Sequence, residues 1–436
     1  MPAGPAAPRS IPIDWLTVLL FGFGVARLLE VKVMGTLFGT DLAVLATLPF
    51  ALRRLRNVPL GRDFGRVMVF WALWMVSAVV TDMVRETPIA DALRGGSKVA
   101  MFGVTLFVVA VLSEFKAHRL TAFMCGLAVA TIVGVIFMPT PYQVGQPWKF
   151  GLGWNAGLLA CALAMAMDRL GLRPRWVRLV PLIAVALICL DQGARSLFGT
   201  LILAIAGVVA ADLLGPTLRR VRLGLAVWIG LIVLGAAGAG SILAAYSGMA
   251  SHGLLGEEAE RKYEMQTVGG GGIVLGGRGE VMVSSQAILR SPIIGHGSWA
   301  QEAEYKIMLV SMLRQRGVNA TLEFRTGAGI PSHSYFFQSW VEHGFLGGLF
   351  WAVVLVLTAR SIPDAMRSGH PATPVYFLAV FSLLWSIPFT PFGAENRFFA
   401  AGEMAFAFWA LRQGQAYARP PAPGRDPART AVGVSA

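Results

Sequence analysis

Long apolar runs constrain this chain more than any other feature. Read by length and hydropathy, about twelve of them fall at roughly 12–29, 39–52, 67–84, 97–113, 120–138, 152–167, 177–192, 196–213, 223–246, 335–358, 374–388 and 397–411. Most are 17–25 residues long, the length that crosses a bilayer as a helix. Within a membrane every backbone polar group must be satisfied internally, so such runs have to be helical. The expected fold class is an all-α polytopic membrane protein. The run at 39–52 is short, and Leu16–Leu52 could instead form a broken or tilted pair. Composition agrees: 55% of the residues are hydrophobic and 14% charged, against about a quarter charged in soluble domains.

The net charge of +13 would suggest nucleic acid in a soluble protein. Here most of the excess lies in short loops between apolar runs, where membrane orientation and anionic lipid headgroups account for it, and nucleic acid is not an expected partner. Arg53, Arg54, Arg56, Arg62 and Arg66 crowd one loop. Arg169, Arg173, Arg175 and Arg178 crowd a second, and Arg219, Arg220 and Arg222 a third. If the spans alternate, Arg360, Arg367 and the C-terminal arginines join the same side, which the positive-inside rule makes cytoplasmic. Both termini are then cytoplasmic, and the first apolar run, lacking a cleavage site, is a retained helix. Arg85, Arg94 and Lys98 form a mild exception on the opposite side.

This topology divides the chain into helices over 1–246, one large outer loop over 247–334, helices over 335–411, and a disordered cytoplasmic tail over 412–436. From Ser247 to Ser332 the loop carries eight Lys/Arg and eight Glu, so it is near neutral. Loops of this length usually carry function. Within it, 253–267, 280–289 and 305–316 can be helical, the stretch 269–277 is glycine-rich, and 319–330 is expected to be irregular. Cys125, Cys161 and Cys189 all fall inside predicted spans without a C-x-x-C pair, so neither a disulfide framework nor a zinc site is expected.

The residues that could carry chemistry gather around this loop. His333 lies where the loop meets an apolar run, with Ser332 or Ser334 as the helix cap. A helix N-terminus disfavours imidazolium, so the ring stays neutral and can accept a proton as a general base. The alternative is a histidine that only anchors the loop. Phe336 and Trp340 could line a sugar or prenyl site, or be ordinary interfacial aromatics. Glu342 lies inside a span, where an ionisable group is a functional candidate or the partner of an intramembrane Arg. Gly344 and Gly348 form G-x-x-x-G, most simply a close-packing face. Arg195, at the outer junction of two spans, could bind an anion or be neutralised by Asp191. Arg278 opens a predicted helix, where free N–H groups and a guanidinium suit phosphate. Arg290 precedes Ser291-Pro292 and has a structural alternative. His296, between two glycines, suits a tight turn. No metal-ligand motif stands out, and no cofactor is expected.

The order Gly277-Arg278, then Arg290-Ser-Pro-Ile-Ile-Gly-His-Gly297, then His333-Ser334 with Glu342-His-Gly344-Phe-Leu-Gly347, resembles the O-antigen ligase/O-antigen polymerase superfamily of bacterial inner membranes. Arg195-Ser196 lies where that family carries a Ser-Arg-Gly-like segment, although the residue order here is Gly-Ala-Arg-Ser. The resemblance covers Asp191 to about Ala359. It implies an inverting membrane glycosyltransferase with a C-type-like architecture, a donor glycan on undecaprenyl diphosphate, and no metal. Arg195, Arg278 and Arg290 would hold the diphosphate and His333 would deprotonate the acceptor hydroxyl, with Trp340, Glu342 and Gly344 supporting. The acceptor would be lipid A–core for a ligase, or another lipid-linked glycan for an O-antigen or exopolysaccharide polymerase. A glycolipid transporter or flippase, or a scaffold subunit of an assembly complex, are the alternatives of another class.

Overall fold

The computed structural model describes residues 13–32, 35–171, 175–219, 279–315 and 329–418, with short pieces between 240 and 267. The predicted span 223–246, the glycine-rich stretch with Arg278, residues 319–328 and the tail after Ala418 lie outside the described residues, except for single short pieces.

Among the described residues helices dominate, and six are long and apolar enough to cross a membrane. They are α3 (Arg62–Val84), α4 (Ile89–Ser113), α5 (Ala117–Phe137), α7 (Gly153–Arg169, extended upstream by a π-helical turn from Trp148), α9 (Arg195–Leu218) and α13 (Phe345–Ser368). The chain is thus a multi-pass, all-α membrane protein. Among the described residues the other helices are α1 (Trp15–Val25), α2 (Gly39–Arg54), α6 (Pro141–Gly145), α8 (Val180–Asp191), α10 (Gly279–Arg290), α11 (Ala303–Gln315), α12 (Tyr335–His343), α14 (Thr373–Phe389) and α15 (Asn396–Ala418). Helices α10 and α11 match the expected loop helices within two residues at each end. The segment Leu16–Leu52 is two helices joined by an antiparallel hairpin, β1 (Glu30–Lys32) with β2 (Thr36–Phe38), in which Val31 pairs with Leu37.

Close packing needs small residues where helices cross without a hydrophobic drive. Helices α1 and α5 cross at Gly24 and Gly126, where an added Cβ would lie 2.4 Å from Leu127 N or 2.2 Å from Phe21 O. Deeper in the bundle, Trp74, Phe102, Phe350, Trp351 and Phe392 form one buried aromatic cluster.

The helix ends sort into two sets. At one end Arg119 pairs with Asp14 (2.5 Å) and Glu114 (3.1 Å), Arg54 pairs with Glu114, and Arg412 donates to Glu114 O at 3.0 Å. Arg219 donates to Arg367 O (2.7 Å) and Arg367 to Leu218 O (3.0 Å), which brings the C-termini of α9 and α13 to this end. These contacts gather many of the basic loops expected on one side. At the other end lie Arg397 with Asp41 (2.5 Å), Arg27 with Glu395 (2.9 Å), and the whole of α10–α12.

Two expectations need correction. The predicted span 335–358 is not one helix: α12 ends at Gly344, whose φ of 70° and ψ of −163° break it, and α13 begins at Phe345. Helix α12 folds back on α13, with Tyr335 4.9 Å from Trp351 ring to ring and Trp351 Nε1 donating to Ser339 Oγ at 2.9 Å. Helix α15 also continues through Ala418, so residues 412–418 are helical rather than part of a disordered tail.

Candidate functional site

The fold-back sets the position of His333. Trp351 is six residues into α13, so the start of α12 lies about 9 Å below the α13 N-terminus at 1.5 Å per residue. The link between α14 and α15 is sunk in the same way. Its Phe392 ring is 5.7 Å from Trp74, ten residues and therefore about 15 Å before the end of α3. Residues 330–334 and 390–392 therefore lie recessed below the ends of α13 and α3, next to the buried aromatic cluster. His333 is exposed at this level.

Of the two serines expected as the α12 cap, Ser332 and Ser334, it is Ser334 that caps it. Its hydroxyl accepts from Phe337 N at 3.1 Å and donates to Ile387 O of α14 at 2.7 Å. Such a cap stabilises a helix start by about 1 kcal/mol. His333 is the residue just before it, an exposed imidazole beside a buried, doubly bonded serine.

A clasp closes the segment 291–300 onto this region. Arg85 donates through Nε to Gly295 O (2.8 Å) and through a terminal nitrogen to Ser291 Oγ (2.6 Å). Thr81 donates to Ile294 O, Phe345 N to Ile293 O (3.1 Å), and His296 N to Val341 O (2.8 Å). Asp82 accepts from both Ser298 N and Ser298 Oγ at 2.7 Å. Gly344 belongs to this clasp: a Cβ there would lie 1.9 Å from Ile293 O. Gly347 and Gly348 lie against Ser339 and Trp340, so the glycines close a hairpin between α12 and α13 rather than lining a face of one long helix.

His343 is fully buried at the same junction. Trp74 Nε1 donates to His343 Nδ1 (3.0 Å), which leaves the ring proton on Nε2, and Nε2 faces Ser298 Oγ at 3.1 Å. With Ser298 donating to Asp82, the Nε2 tautomer satisfies the whole chain. The sequence alone gives no site role to His343, Asp82 or Lys98, because only the fold brings α3 and α4 to α12.

Glu342 has the cationic partner expected of a buried carboxylate, and it is Lys98 of α4 rather than an Arg, at 2.9 Å with both side chains buried. Its other oxygen accepts from Gln338 at 3.0 Å. Of the three basic residues that broke the charge rule, Arg85 therefore ties α3 to the segment 291–300, Lys98 ties α4 to α12, and Arg94 lies 4.9 Å from the Trp299 ring.

Other predicted residues are placed as follows. Arg195 starts α9, in the first turn where backbone N–H groups lack helical partners. Since α9 and α13 share their C-terminal end, Arg195 is at the same end of the bundle as the recess. Arg290 ends α10, pairs with Glu304 and lies 5.7 Å from the Tyr305 ring on an exposed face. Trp340 donates to Pro292 O at 2.7 Å, and its ring covers Gly348. His296 forms the expected turn between Gly295 and Gly297, both at positive φ, and bridges Glu302 and Ala287 O. No protein-family model matches the chain, and no curated protein is significantly similar to it.

Proposed function

We propose that this chain is a membrane glycosyltransferase that moves a glycan from undecaprenyl diphosphate to an acceptor hydroxyl, with lipid A–core as the acceptor. The observation that carries the proposal is the exposed His333, set just before the α12 cap in a recess at the end of the bundle that also bears Arg195. A neutral imidazole there accepts the hydroxyl proton as the oxygen attacks the anomeric carbon. The bond to the diphosphate breaks, and the leaving diphosphate is held by guanidinium groups, Arg195 in the first turn of α9 and Arg278 by resemblance. Arg290 is a diphosphate ligand by resemblance only, and its pairing with Glu304 would have to exchange for phosphate. Direct displacement inverts the anomeric centre. The proposed topology has twelve crossings in the bacterial inner membrane, with the Arg-rich end and both termini cytoplasmic and the recess facing the periplasm.

The same donor chemistry serves a polymerase, so the test must read the acceptor. A gel of the cell's lipopolysaccharide is compared for intact gene, deletion and His333→Ala. Core-only lipid, with polymer accumulating on undecaprenyl diphosphate, is the expected result for both altered strains. Core carrying a single repeat would assign polymerisation instead. An unchanged ladder in the deletion would remove lipopolysaccharide transfer altogether, and vesicles in which labelled glycolipid crosses the bilayer unaltered would assign transport.

A further inference from the structure

One face of α12 carries three polar side chains at helical spacing, Ser334, Gln338 and Glu342, and each is tied to a different element. Ser334 Oγ donates to Ile387 O of α14 at 2.7 Å. Gln338 Oε1 accepts from Phe392 N in the α14–α15 link at 2.8 Å, and its Nε2 donates to Glu342 at 3.0 Å. Glu342 accepts from Lys98 Nζ of α4 at 2.9 Å. Residues at i, i+4 and i+8 share one helix face. We propose that Lys98 and Gln338, acting through Glu342 and Ser334, are positioning residues that fix the rotation and depth of α12 and thereby hold His333 in the recess. The proposal rests on His333 being the base.

The chemistry favours positioning over binding. The two oxygens of Glu342 face two donors, and both ends of the Gln338 amide are used. The Lys98 ammonium is 4% exposed, donates to Glu342 and lies 5.6 and 5.7 Å from the rings of Trp299 and Phe392. Both oxygens of Glu342 and both ends of the Gln338 amide are thus engaged by the protein, with Lys98 and Glu342 both buried. Stability alone does not call for it, because a buried ion pair is commonly no better than apolar residues of the same volume. What the pair adds is direction. A nine-residue helix is too short to hold itself in water, and apolar packing alone would leave it free to roll or slide. The bonds of Trp340, Val341 and His343 hold its C-terminal half, and the three directed bonds along the Ser334–Gln338–Glu342 face extend that hold to the end beside His333. Ser334, the last of them, is adjacent to His333 in the chain.

The test uses the full-length protein in proteoliposomes, with an undecaprenyl-diphosphate-linked glycan as donor and two readouts. The first is turnover per folded molecule. Lys98→Met and Gln338→Leu are expected to lower kcat on the order of ten- to a hundred-fold, the effect of a misplacement near 1 Å, with the donor KM within about twofold, since interactions that only orient the base act on kcat. Lys98→Arg, which can still reach Glu342, is expected to recover most of the loss. A merely structural role would reduce the amount of folded protein and leave its kcat unchanged, and that result overturns the proposal. The second readout needs no activity. In a His333→Cys background, a water-soluble maleimide is expected to modify position 333 at a rate changed several-fold by Lys98→Met or Gln338→Leu; an unchanged rate also overturns it. His333→Ala separates the two failures. Full turnover in His333→Ala removes the base itself and the positioning role with it. An inactive His333→Ala beside a fully active Lys98→Met removes only the positioning role.

Discussion

At the scale of single residues, what was legible in the sequence was chemical identity and local spacing. Ser334 is a good example: a serine before an apolar run is a cap by its own hydrogen-bonding reach, and it caps α12. Glu342 was visible as an anomaly, an ionisable group in an apolar run. Its partner was not, because Lys98 is 244 residues away and only the packing of α4 against α12 joins them. His343 was invisible for a similar reason, since a histidine reads as buried and neutral only once Trp74 and Ser298 are seen on its two nitrogens. One prediction belongs to this scale. Arg195→Lys keeps the charge but loses the planar fork that grips a diphosphate. Transfer activity should fall roughly ten-fold or more, the effect of about 1.4 kcal/mol, measured as initial rate at fixed protein. Full turnover in that variant would count against a phosphate role for Arg195.

At the scale of elements, the apolar runs were read well as helices and poorly at their breaks. Helices α3, α4 and α5 lie within about eight residues of the runs that announced them. The run 335–358 hid a break because one glycine hardly alters a hydropathy average. What ends α12 is tertiary: the backbone of Ile293 occupies the space where a side chain at 344 would sit, and the φ and ψ of Gly344 belong to a region open only to glycine. Gly344→Ala should therefore cost on the order of 1–3 kcal/mol for the backbone alone, with the clash against Ile293 added. The expected observation is a lower melting temperature in detergent and loss of the α12–α13 turn, read as increased proteolysis between 329 and 345. An unaltered melting temperature would contradict the turn. Gly348→Ala should be milder, because its neighbour is the Trp340 ring rather than backbone.

At the scale of the whole molecule, charge divides the bundle into two ends. The count of basic residues foresaw the Arg-rich end, but not how it is held. Glu114, between α4 and α5, is the hub of that end. Burial raises its carboxyl pKa, but hydrogen bonds from Arg54 and Arg119, with Lys116, outweigh burial and hold it at about 2 against an ordinary 4.5. A carboxyl depressed in the folded state contributes stability that is present above its unfolded pKa and lost as pH falls through the folded value. The melting temperature should therefore drop as pH falls from about 4.5 toward 2, and Glu114→Gln should flatten that part of the curve while lowering the plateau above it. A wild-type curve with the same slope in Glu114→Gln would remove Glu114 as the hub. At the opposite end, Asp41 and Arg397 form a buried pair in which the loss of one partner strands a charge. Asp41→Asn should destabilise by roughly 3–5 kcal/mol, and replacing both by apolar residues by much less.

The recess at that opposite end is where residue, element and molecule meet, and its claim is that His333 takes the acceptor proton. The most direct measurement is glycan transfer by purified protein in proteoliposomes, wild type against His333→Ala, with the melting temperatures of both recorded. Loss of a general base predicts a fall of about 10²–10⁴ in the rate with the fold intact. Wild-type turnover in His333→Ala would contradict the account and leave the recess without its chemistry.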